Sequence, residues 1–598
     1  MVFFKTVIFN KKGQAAVLAI AIMIVLVLFN LVALSIFTSI NTSVRLASAQ
    51  QKKVKYIARA ILMYYLQFLR YDWNGAIALV RDQGFFNNME ISITGEDQYF
   101  VDIEVNYPYI DSDNRQSYQR AEIITRARML STGIGWKRAG RSLTKPIEYS
   151  IRIVVDRLPR ASLFSLFWGR GPTLQISNNS SIVGDMYAAG SVSWVNNSFI
   201  TAGRLYHPAG TTISGTGCQD CNYVTIDNEY PFAGNNINAV PPFDAGVYTD
   251  TMNSFKVDMD GYDGVISASS YANPVYKCWI SGETIDLTGQ NYVCNSGDFS
   301  ISGISGTVNI NGFGNFIAKQ GSIKISGGNV TISPSPGGTI NFLAKNNIEI
   351  GSNNSSILVN PQRSGNVVFY SGADAVGGGI VISNPGTNIK TSRILSRNKI
   401  LVSSSAKVTD STLYSASSNF ALDNYLRLEL AAVVEDSILL GGRRVEMYSG
   451  SRCLNCNVFV DRNNDTINNS LIIQGTNTFA SGSFISLSLR PVGFFGVDSG
   501  LDIRFGPEVR GLVYHDGADV SRTNISECTI KGSLIASLFT SNSIDNNVLI
   551  IYDNEEIINM LSNTRKGQDQ NSSFGFNQIV IEPNSWIEPY FKHLKEYQ

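Results

Sequence analysis

The chain opens with a long apolar segment. An almost unbroken apolar run extends from Ala15 to Phe37 and is interrupted only by Asn30 and Ser35. About 20 apolar residues suffice to span a bilayer as a helix, and the run exceeds the roughly 7–15-residue apolar core of a cleaved signal peptide. The sequence therefore predicts one transmembrane helix near the N-terminus.

The helical pattern continues beyond the membrane segment. Apolar residues recur at three- and four-residue spacing from Val54 to Leu69, and lysines and an arginine share the other side. No Gly or Pro interrupts residues 14–71, and Asn74-Gly75 predicts the C-terminal end of the helix. A helix of about 60 residues is about 90 Å long, so its outer part must pack on its own domain or on neighbouring subunits.

The next segment, residues 85–160, predicts a small sheet with one solvated face, packed on the outer half of the helix. The alternation of apolar and polar residues in 99–105 is typical of such a strand. The predicted strands are Glu90–Thr94, Tyr99–Tyr107, Ala121–Leu130 and Ile147–Arg157.

From about Phe164 the pattern changes to short alternating runs separated by Gly, Asn and Ser, as in 322–325 and 339–344. Such runs favour a parallel β-helix of roughly 20-residue coils, because stacked coils share one continuous core. An array of β-sandwich domains also gives frequent short strands, but no unit of about 100 residues recurs. Paired asparagines in turns tolerate left-handed backbone and can form hydrogen-bonded ladders; the pairs noted are Asn353-Asn354 and Asn463-Asn464.

Composition narrows the functional classes. Lysine plus arginine and aspartate plus glutamate both number 48, so the net charge is zero and nucleic acid is not an expected partner. Aromatic residues make up 11% of the chain, which argues against disorder. The sequence thus describes a folded, weakly charged, mainly β protein.

The basic residues Lys5, Lys11 and Lys12 precede the apolar run, so the N-terminus is expected in the cytoplasm and the remainder outside. Two other interpretations of this region remain. It could be a plain signal anchor, or a signal peptide cleaved after Ala47-Ser48-Ala49, although the apolar run is too long for the latter.

The chain has seven cysteines, which can form disulfides if this part of the protein lies outside the cytoplasm, as expected. The two Cys-x-x-Cys pairs are too far apart for one zinc site, because about eleven coils at ~4.8 Å separate them by roughly 50 Å. Each pair is expected to form a local disulfide or two free thiols, Cys278 and Cys294 can pair with each other, and Cys528 is then left over. The two close pairs are Cys218 with Cys221 and Cys453 with Cys456.

Candidate catalytic residues are scattered. Asp461 and Asp465 flank a turn-like segment and Asp516 follows His515, but acids in such turns are more often solvated caps than catalysts. The three histidines lie far apart in sequence, at His207, His515 and His593. The prediction is that the protein is not an enzyme.

One acidic cluster suggests calcium. The segment that contains Asp258, Asp260 and Asp263 combines three carboxylates with two glycines, which we interpret as a turn. Hard cations favour such oxygen ligands, although the twelve-residue loop of an EF-hand is missing. The alternative is a polar surface turn, and no other cofactor is expected.

The segment Lys11-Lys12-Gly13-Gln14-Ala15-Ala16-Val17-Leu18 resembles the start of type IV pilin-like proteins, and PilX-type minor pilins in particular. The resemblance implies cleavage by prepilin peptidase between Gly13 and Gln14. Major pilins usually carry Phe first and Glu fifth after the cut, where this chain has Gln14 and Leu18. Further stretches are similar to later parts of PilX-like proteins, namely 130–133, 184–188, 509–516, 530–536 and 548–553.

The resemblance implies a non-enzymatic filament subunit, anchored in the inner membrane and displayed on the filament or cell surface, with a head for adhesion or filament initiation. Its partners would be other pilin subunits, prepilin peptidase and surface glycans or another cell-surface ligand. A membrane-anchored carbohydrate-active enzyme and an envelope scaffold outside any filament are the alternatives. The expected segments are a leader (1–13), the long helix (14–75), the small β module (85–160), the β-helix (161–553) and a capping tail (554–598).

Overall fold

The computed structural model describes residues 11–71, 73–92, 98–107, 109–110, 116–117, 120–130, 147–159, 164–169, 171, 173–215, 222–226, 245–352, 355–374, 377–416, 425–448, 450–461, 470–487, 500–516, 522–537, 539, 543–553, 556–557, 577–581 and 587. The chain divides into two compact units. The first comprises Met1–Tyr107, Ala121–Val155 and Ile579–Gln598, and the second comprises Pro108–Arg120 and Asp156–Gln578.

The helices are α1 (Lys11–Tyr71), α2 (Trp73–Arg81) and α3 (Gly246–Ser267). The strands are β1 (Met89–Ser92), β2 (Gln98–Asn106), β3 (Tyr109–Ile110), β4 (Gln116–Ser117), β5 (Arg120–Leu130), β6 (Ile147–Pro159), β7 (Leu166–Trp168), β8 (Thr173–Ile176), β9 (Ser181–Val183), β10 (Met186–Ala188), β11 (Ser191–Trp194), β12 (Phe199–Thr201), β13 (Arg204–Pro208), β14 (Ile213–Gly215), β15 (Asn222–Ile226), β16 (Pro274–Tyr276), β17 (Trp279–Ser281), β18 (Thr284–Cys294), β19 (Phe299–Ala318), β20 (Ile323–Pro334), β21 (Thr339–Ala344) and β22 (Ile348–Ser352). They continue with β23 (Ser356–Val359), β24 (Asn366–Ser371), β25 (Gly379–Ile382), β26 (Thr387–Lys390), β27 (Ser392–Ser396), β28 (Lys399–Val402), β29 (Lys407–Thr409), β30 (Thr412–Ser415), β31 (Leu426–Leu428), β32 (Val433–Glu435), β33 (Ile438–Gly441), β34 (Arg444–Met447), β35 (Arg452–Val460), β36 (Ser470–Gln474), β37 (Phe479–Ser486), β38 (Leu501–Arg504), β39 (Glu508–His515), β40 (Thr523–Ser526), β41 (Thr529–Ala536), β42 (Ser543–Ile544), β43 (Leu549–Ile551) and β44 (Asn577–Ile581).

The first unit contains the long helix α1. Its segment Ile20–Thr38 is the one helix in the described part of the chain that is long and apolar enough to cross a membrane, and none of it is buried. Helical structure does not end at Asn74-Gly75, as the sequence predicted, because Gly75 lies within α2. Ile77 and Trp73 of α2 are buried, and burial of large apolar side chains outweighs the helix cost of about 1 kcal/mol for one glycine.

The outer part of α1 shares one core with a five-stranded sheet, ordered β1-β2-β5-β6-β44. Ala58, Leu62 and Tyr65 of the helix are fully buried, as are Val101 and Ile151 of the sheet. The pairings of β2 with β1 and β5 are antiparallel. The four strands predicted for this segment lie within a few residues of β1, β2, β5 and β6, and residues 93–94 of the first lie outside the described residues.

The second unit is built almost entirely from parallel strands, which we group into three rows by their hydrogen-bonded partners. Away from the contact of the first with the last strands, side chains that hydrogen-bond between successive repeats are separated by 18 residues for Asn178 and Asn196 and by 28 residues for Gln474 and Asp502. Row 1 runs through β15, β13, β10, β7, the ends of β41, β39, β37 and β35, then β33, β30, β27, β24, β21, the ends of β19 and β18, and β16. Row 2 runs through β14, β11, β8, β42, β40, β38, β36, β34, β31, β28, β25, β22, the starts of β20 and β19, and β17. Row 3 runs through β12, β9, β43, the starts of β41, β39, β37 and β35, then β32, β29, β26, β23, and parts of β20, β19 and β18.

One apolar cluster follows these rows through the unit. In row 1, the rings of Phe316, Phe342 and Phe369 stack face to face, with centroids 5.0 and 5.1 Å apart. Alternation within each strand places several apolar residues of every repeat in this cluster, for example Ile340, Phe342 and Ala344 from β21. The array therefore gains its core from stacking rather than from any single repeat.

The order of strands in space departs from the order in sequence. Leu166 and Trp168 of β7 pair in parallel with Leu534 and Ala536 of β41, and β9 pairs with β43. The first strands of the unit thus extend the array beyond its last strands. We call the contact of β7, β8 and β9 with β41, β42 and β43 the junction.

Helix α3 lies against the outer side of row 1, which the sequence pattern did not predict. Its Tyr248 stacks on Phe459 at 4.6 Å, and its Phe255 contacts Tyr414 at 5.9 Å between ring centroids. Row 1 strands accordingly end in consecutive buried residues instead of continuing the alternation, three in β21 and five in β24. The helix covers an apolar surface that alternation alone leaves unexplained.

Asparagine turns stack across the junction. Asn178, Asn196 and Asn547 adopt left-handed backbone, with φ of 52°, 52° and 55°. Asn196 Nδ2 donates to Asn178 Oδ1 at 3.1 Å, and Asn179 Nδ2 lies 3.4 Å from Asn547 Oδ1. These ladders are of the predicted kind, although Asn353-Asn354 and Asn463-Asn464 lie outside the described residues.

Candidate functional site: a charged cluster on row 2

The three aspartates considered for calcium lie on a helix, so the prediction of a turn there is wrong. Arg397 Nη2 is 2.6 Å from Asp260 Oδ1 and 2.8 Å from Asp263 Oδ2, and Arg393 Nη1 is 3.4 Å from Asp258 Oδ2. Helical periodicity places the three carboxylates where they reach arginines of β27 and the residue after it. They fasten α3 to row 1, and among the described residues no group of three or more His, Cys, Asp or Glu side chains could hold a metal ion.

The described cysteines lie in two disulfides and one buried thiol. Cys278 is joined to Cys294 across 4.6 Å between Cα atoms, and Cys453 is joined to Cys456 within β35. Burial raises the pKa of the Cys528 thiol to about 12, so it behaves as a small apolar side chain. Cys218 and Cys221 lie outside the described residues.

The histidines and acids singled out from the sequence do not form one site in the described residues. His207 lies on β13 and His515 on β39, with β10, β7 and β41 between them. His207 Nδ1 is 2.8 Å from Thr211 Oγ1, and His515 Nδ1 is 2.8 Å from Thr523 Oγ1. Asp461 and Asp516 directly follow row 1 strands, whereas Asp465 and His593 lie outside the described residues.

The longest connections near the middle of the array occur at one corner. Residues 416–425, 461–469 and 487–500 each connect a row 1 strand to a row 2 strand, whereas residues 403–406, 429–432 and 475–478 connect row 2 to row 3. In repeat proteins, insertions that map to one face mark the face used for binding. Row 2 is therefore the candidate binding face, on the strands that these connections enter.

Four adjacent row 2 strands, β31, β34, β36 and β38, carry a charged cluster on their outward side. Arg427 pairs in register with Glu446, Glu446 with Ile472, and Ile472 with Asp502. A second column, two residues further along each strand, contains Gln474 in register with Arg504. We call this set the row 2 cluster; its charged and polar members are Arg427, Glu429, Arg444, Glu446, Tyr448, Gln474, Asp502 and Arg504.

Glu446 is a fully buried carboxylate held by arginines on two strands. Its Oε2 accepts a hydrogen bond from Arg427 Nε, its Oε1 contacts Arg444 Nε, and Tyr448 Oη lies 3.4 Å from Oε1. A buried charge is tolerated only when it is paired and hydrogen-bonded. Burial, and then the charge of Glu446, raise the pKa of Tyr448 to about 12, so its hydroxyl stays protonated.

Asp502 repeats this arrangement two strands away. Its two carboxylate oxygens accept from Arg504 Nε at 2.5 Å and from Arg504 Nη2 at 2.6 Å, and Gln474 Nε2 donates to Oδ2 at 2.8 Å. Its side chain is 7% exposed. Each oxygen of both buried carboxylates therefore accepts at least one hydrogen bond.

Aromatic rings flank the arginines. The Arg427 guanidinium lies 3.8 Å from the centroid of Tyr425 and 5.3 Å from that of Tyr448. Burial alone would lower the pKa of Arg427, but Glu446 raises it above its ordinary value, so the group stays cationic. Arg504 lies 5.1 Å from the centroid of Phe505, whose ring is 49% exposed.

Sequence reasoning missed this cluster, although a signal was present. Arg427-Leu428-Glu429, Arg444-Val445-Glu446 and Asp502-Ile503-Arg504 each place opposite charges two residues apart. In a strand, residues i and i+2 lie on the same face, so each triplet puts an ion pair outward and an apolar residue inward. Only the strand register brings the three triplets together.

The predicted processing site lies at the start of α1. Gly13 and Gln14 belong to its helical backbone, and the structure describes no side chain there. Comparison of the chain with protein-family models, curated proteins and solved structures found no match.

Proposed function

We propose that this protein is a membrane-anchored, pilin-like subunit of a type IV filament system, and that its second unit is a parallel β-helix serving as a non-enzymatic head. The head would be displayed outside the cytoplasmic membrane, for adhesion or for initiating assembly. Prepilin peptidase would remove the leader by cutting between Gly13 and Gln14, as the resemblance of 11–18 to prepilins implies.

The observation that carries this proposal is α1. Its segment Ile20–Thr38 is exposed and apolar, and its outer part is buried against the sheet of its own unit. On the side away from that sheet, Tyr56, Met63, Tyr64 and Phe68 remain 37–65% exposed. These positions recur at helical spacing, and such a stripe suits packing against helices of other subunits.

The β-helix assignment for the second unit rests on its three rows of parallel strands and on their shared core. A β-sandwich is built from antiparallel sheets, and the parallel pairing of strands within all three rows argues against it. A long stacked array offers an extended surface for a partner.

The N-terminal residue of the mature protein tests the proposal. We would isolate the protein from membrane and sheared-surface fractions of its native host and identify the first residue by mass spectrometry. A start at Gln14, above all in the sheared fraction, is the expected result. A leader still attached would instead support a plain anchor or an envelope scaffold, and a start at Gln50 would show that the apolar segment is a signal peptide.

A carbohydrate-active enzyme is the second candidate, because Glu446 and Asp502 lie two strands apart on one face. Paired carboxylates on opposite sides of a glycosidic bond are the usual glycosidase arrangement. Against it, every oxygen of both carboxylates already contacts an arginine, glutamine or tyrosine. Release of reducing ends from polysaccharides by the purified protein, abolished in Glu446→Gln, would favour this function.

A further inference from the structure

The row 2 cluster has an inner and an outer half. The carboxylates of Glu446 and Asp502 are 0% and 7% exposed, whereas the side chains of Arg427, Arg444 and Arg504 are 26%, 22% and 19% exposed. Negative charge is thus buried beneath positive charge. The surface above the cluster presents guanidinium groups, although Glu429, 25% exposed, lies 3.7 Å from Arg427 at one end.

Each of the three guanidinium groups has N–H donors that no described side chain of the cluster engages. Arg427 uses Nε and Nη1, Arg444 uses Nε, and Arg504 uses Nε and Nη2. Within the described residues, the remaining terminal nitrogens of these side chains have no protein acceptor. A guanidinium carries five N–H donors in a fixed plane, and pairing on one edge leaves the other edge preset for an anionic oxygen.

Aromatic rings accompany these donors. Tyr448 is partly exposed beside Arg427, whereas Tyr425, on the other side of that guanidinium, is only 7% exposed and supports it from within. The exposed Phe505 lies beside Arg504. The apolar face of a sugar ring packs on an aromatic ring, whereas a small inorganic anion gains nothing from one. Donors and rings together favour a ligand that combines acidic groups with sugar rings.

The strand spacing favours a linear polymer. Arg427 and Arg504 are three strands apart in row 2, or about 14 Å at the usual spacing between neighbouring strands. One outward residue recurs per strand, at a spacing close to the length of one unit of an extended polysaccharide. Acidic units spaced along the polymer can therefore meet the arginines of β31, β34 and β38, while the intervening β36 contributes Gln474 and no arginine.

We propose that the row 2 cluster binds a linear anionic polysaccharide, with Arg427, Arg444 and Arg504 contacting its acidic groups and with Tyr448 and Phe505 packing on its sugar rings. This proposal deepens the proposed adhesive function by assigning its ligand class. It does not depend on how the N-terminus is processed.

The test uses the purified full-length protein in detergent micelles and measures binding by biolayer interferometry to immobilised polygalacturonate, dextran sulfate and neutral dextran. The variant is Arg427→Lys with Arg504→Lys. Lysine keeps Glu446 and Asp502 paired with a cation but loses the planar donor edge, so the fold is preserved, and an unchanged melting temperature checks this. The matched control is Arg510→Lys, an arginine of row 3 that is also paired with a glutamate, Glu508, at 2.8 Å.

We expect binding to polygalacturonate, weakened at least about tenfold in the double variant and unchanged in the control, and no binding to dextran. Tighter binding to dextran sulfate than to polygalacturonate, with the same loss in the double variant, would support the proposal and identify the acidic group as sulfate. Absence of binding to both acidic polymers would overturn it. Equal weakening by Arg510→Lys would also overturn it, because the binding would then reflect general charge.

Discussion

The junction predicts that strands from opposite ends of the second unit's sequence stabilise each other, which an array stacked in sequence order would not show. Leu534 is fully buried and pairs on one side with Val513 and on the other with Leu166, which precedes it by more than half of the chain. We would replace Leu534 with alanine and follow amide hydrogen exchange by mass spectrometry, because exchange reports local opening along the chain. The strands on both sides of the junction should respond.

The magnitude follows from burial. Replacing a buried leucine with alanine costs roughly 2–5 kcal/mol, and 3 kcal/mol corresponds to about a hundredfold faster exchange wherever the affected strands open together. In repeat arrays such effects fall mainly on neighbouring repeats. We therefore expect accelerated exchange in 166–188 as well as in 508–536.

Leu413→Ala is the matched control. Leu413 is also fully buried in row 1, but it pairs with Ile394 and Leu439. It should accelerate exchange around those strands and leave 166–188 protected. If Leu534→Ala accelerates exchange in 508–536 while 166–188 keeps its protection, the junction does not exist in solution and our account of the array order is wrong.

Three further predictions concern single side chains. Lys324, and then the Ser322 N–H, lower the pKa of Asp298 below its ordinary 3.8. The stabilising effect of this carboxylate is therefore present above pH 3.8 and is lost as the pH falls through the lower folded pKa. The melting-temperature difference between wild type and Asp298→Asn should shrink as the pH falls below 3.8, and a constant difference would contradict this. Iodoacetamide should modify the buried Cys528 only after unfolding, as peptide mass spectrometry would show, and fast labelling of folded protein would refute its burial. Arg397→Ala should speed proteolysis within α3, because Asp260 and Asp263 lose their partner, whereas Arg452→Ala, whose ring contact is with Phe479, should not.

The sequence was most informative where periodicity was strong. The apolar run of α1 and the alternation of β2 and β5 place these elements within a few residues of their observed bounds, because each follows from the local pattern of burial. Prediction failed at Gly75, where tertiary burial of Trp73 and Ile77 extends the helical structure. It failed again at α3, because Asp, Gly and Met in 258–264 were interpreted as a turn.

The candidate site was likewise predictable from the sequence only in part. The outward position of Arg427, Glu446 and Asp502 could be predicted from their alternation with apolar residues. Their proximity could not, because it depends on strand register across repeats of unequal length. The buried outer residues of row 1, such as Tyr414, likewise need α3 to explain them.

By itself the sequence determined the elements with a strong period, α1 and the alternating strands, and which of their side chains face a core, because the periods 3.6 and 2 are local properties of the backbone. It also determined that one helix near the N-terminus is apolar enough to cross a membrane. Only the tertiary structure decided that β7 continues the array from β41, that α3 covers row 1, and that three ion-paired triplets form one cluster. These features depend on pairing between residues far apart in sequence, and no local pattern encodes which strand becomes the neighbour of which.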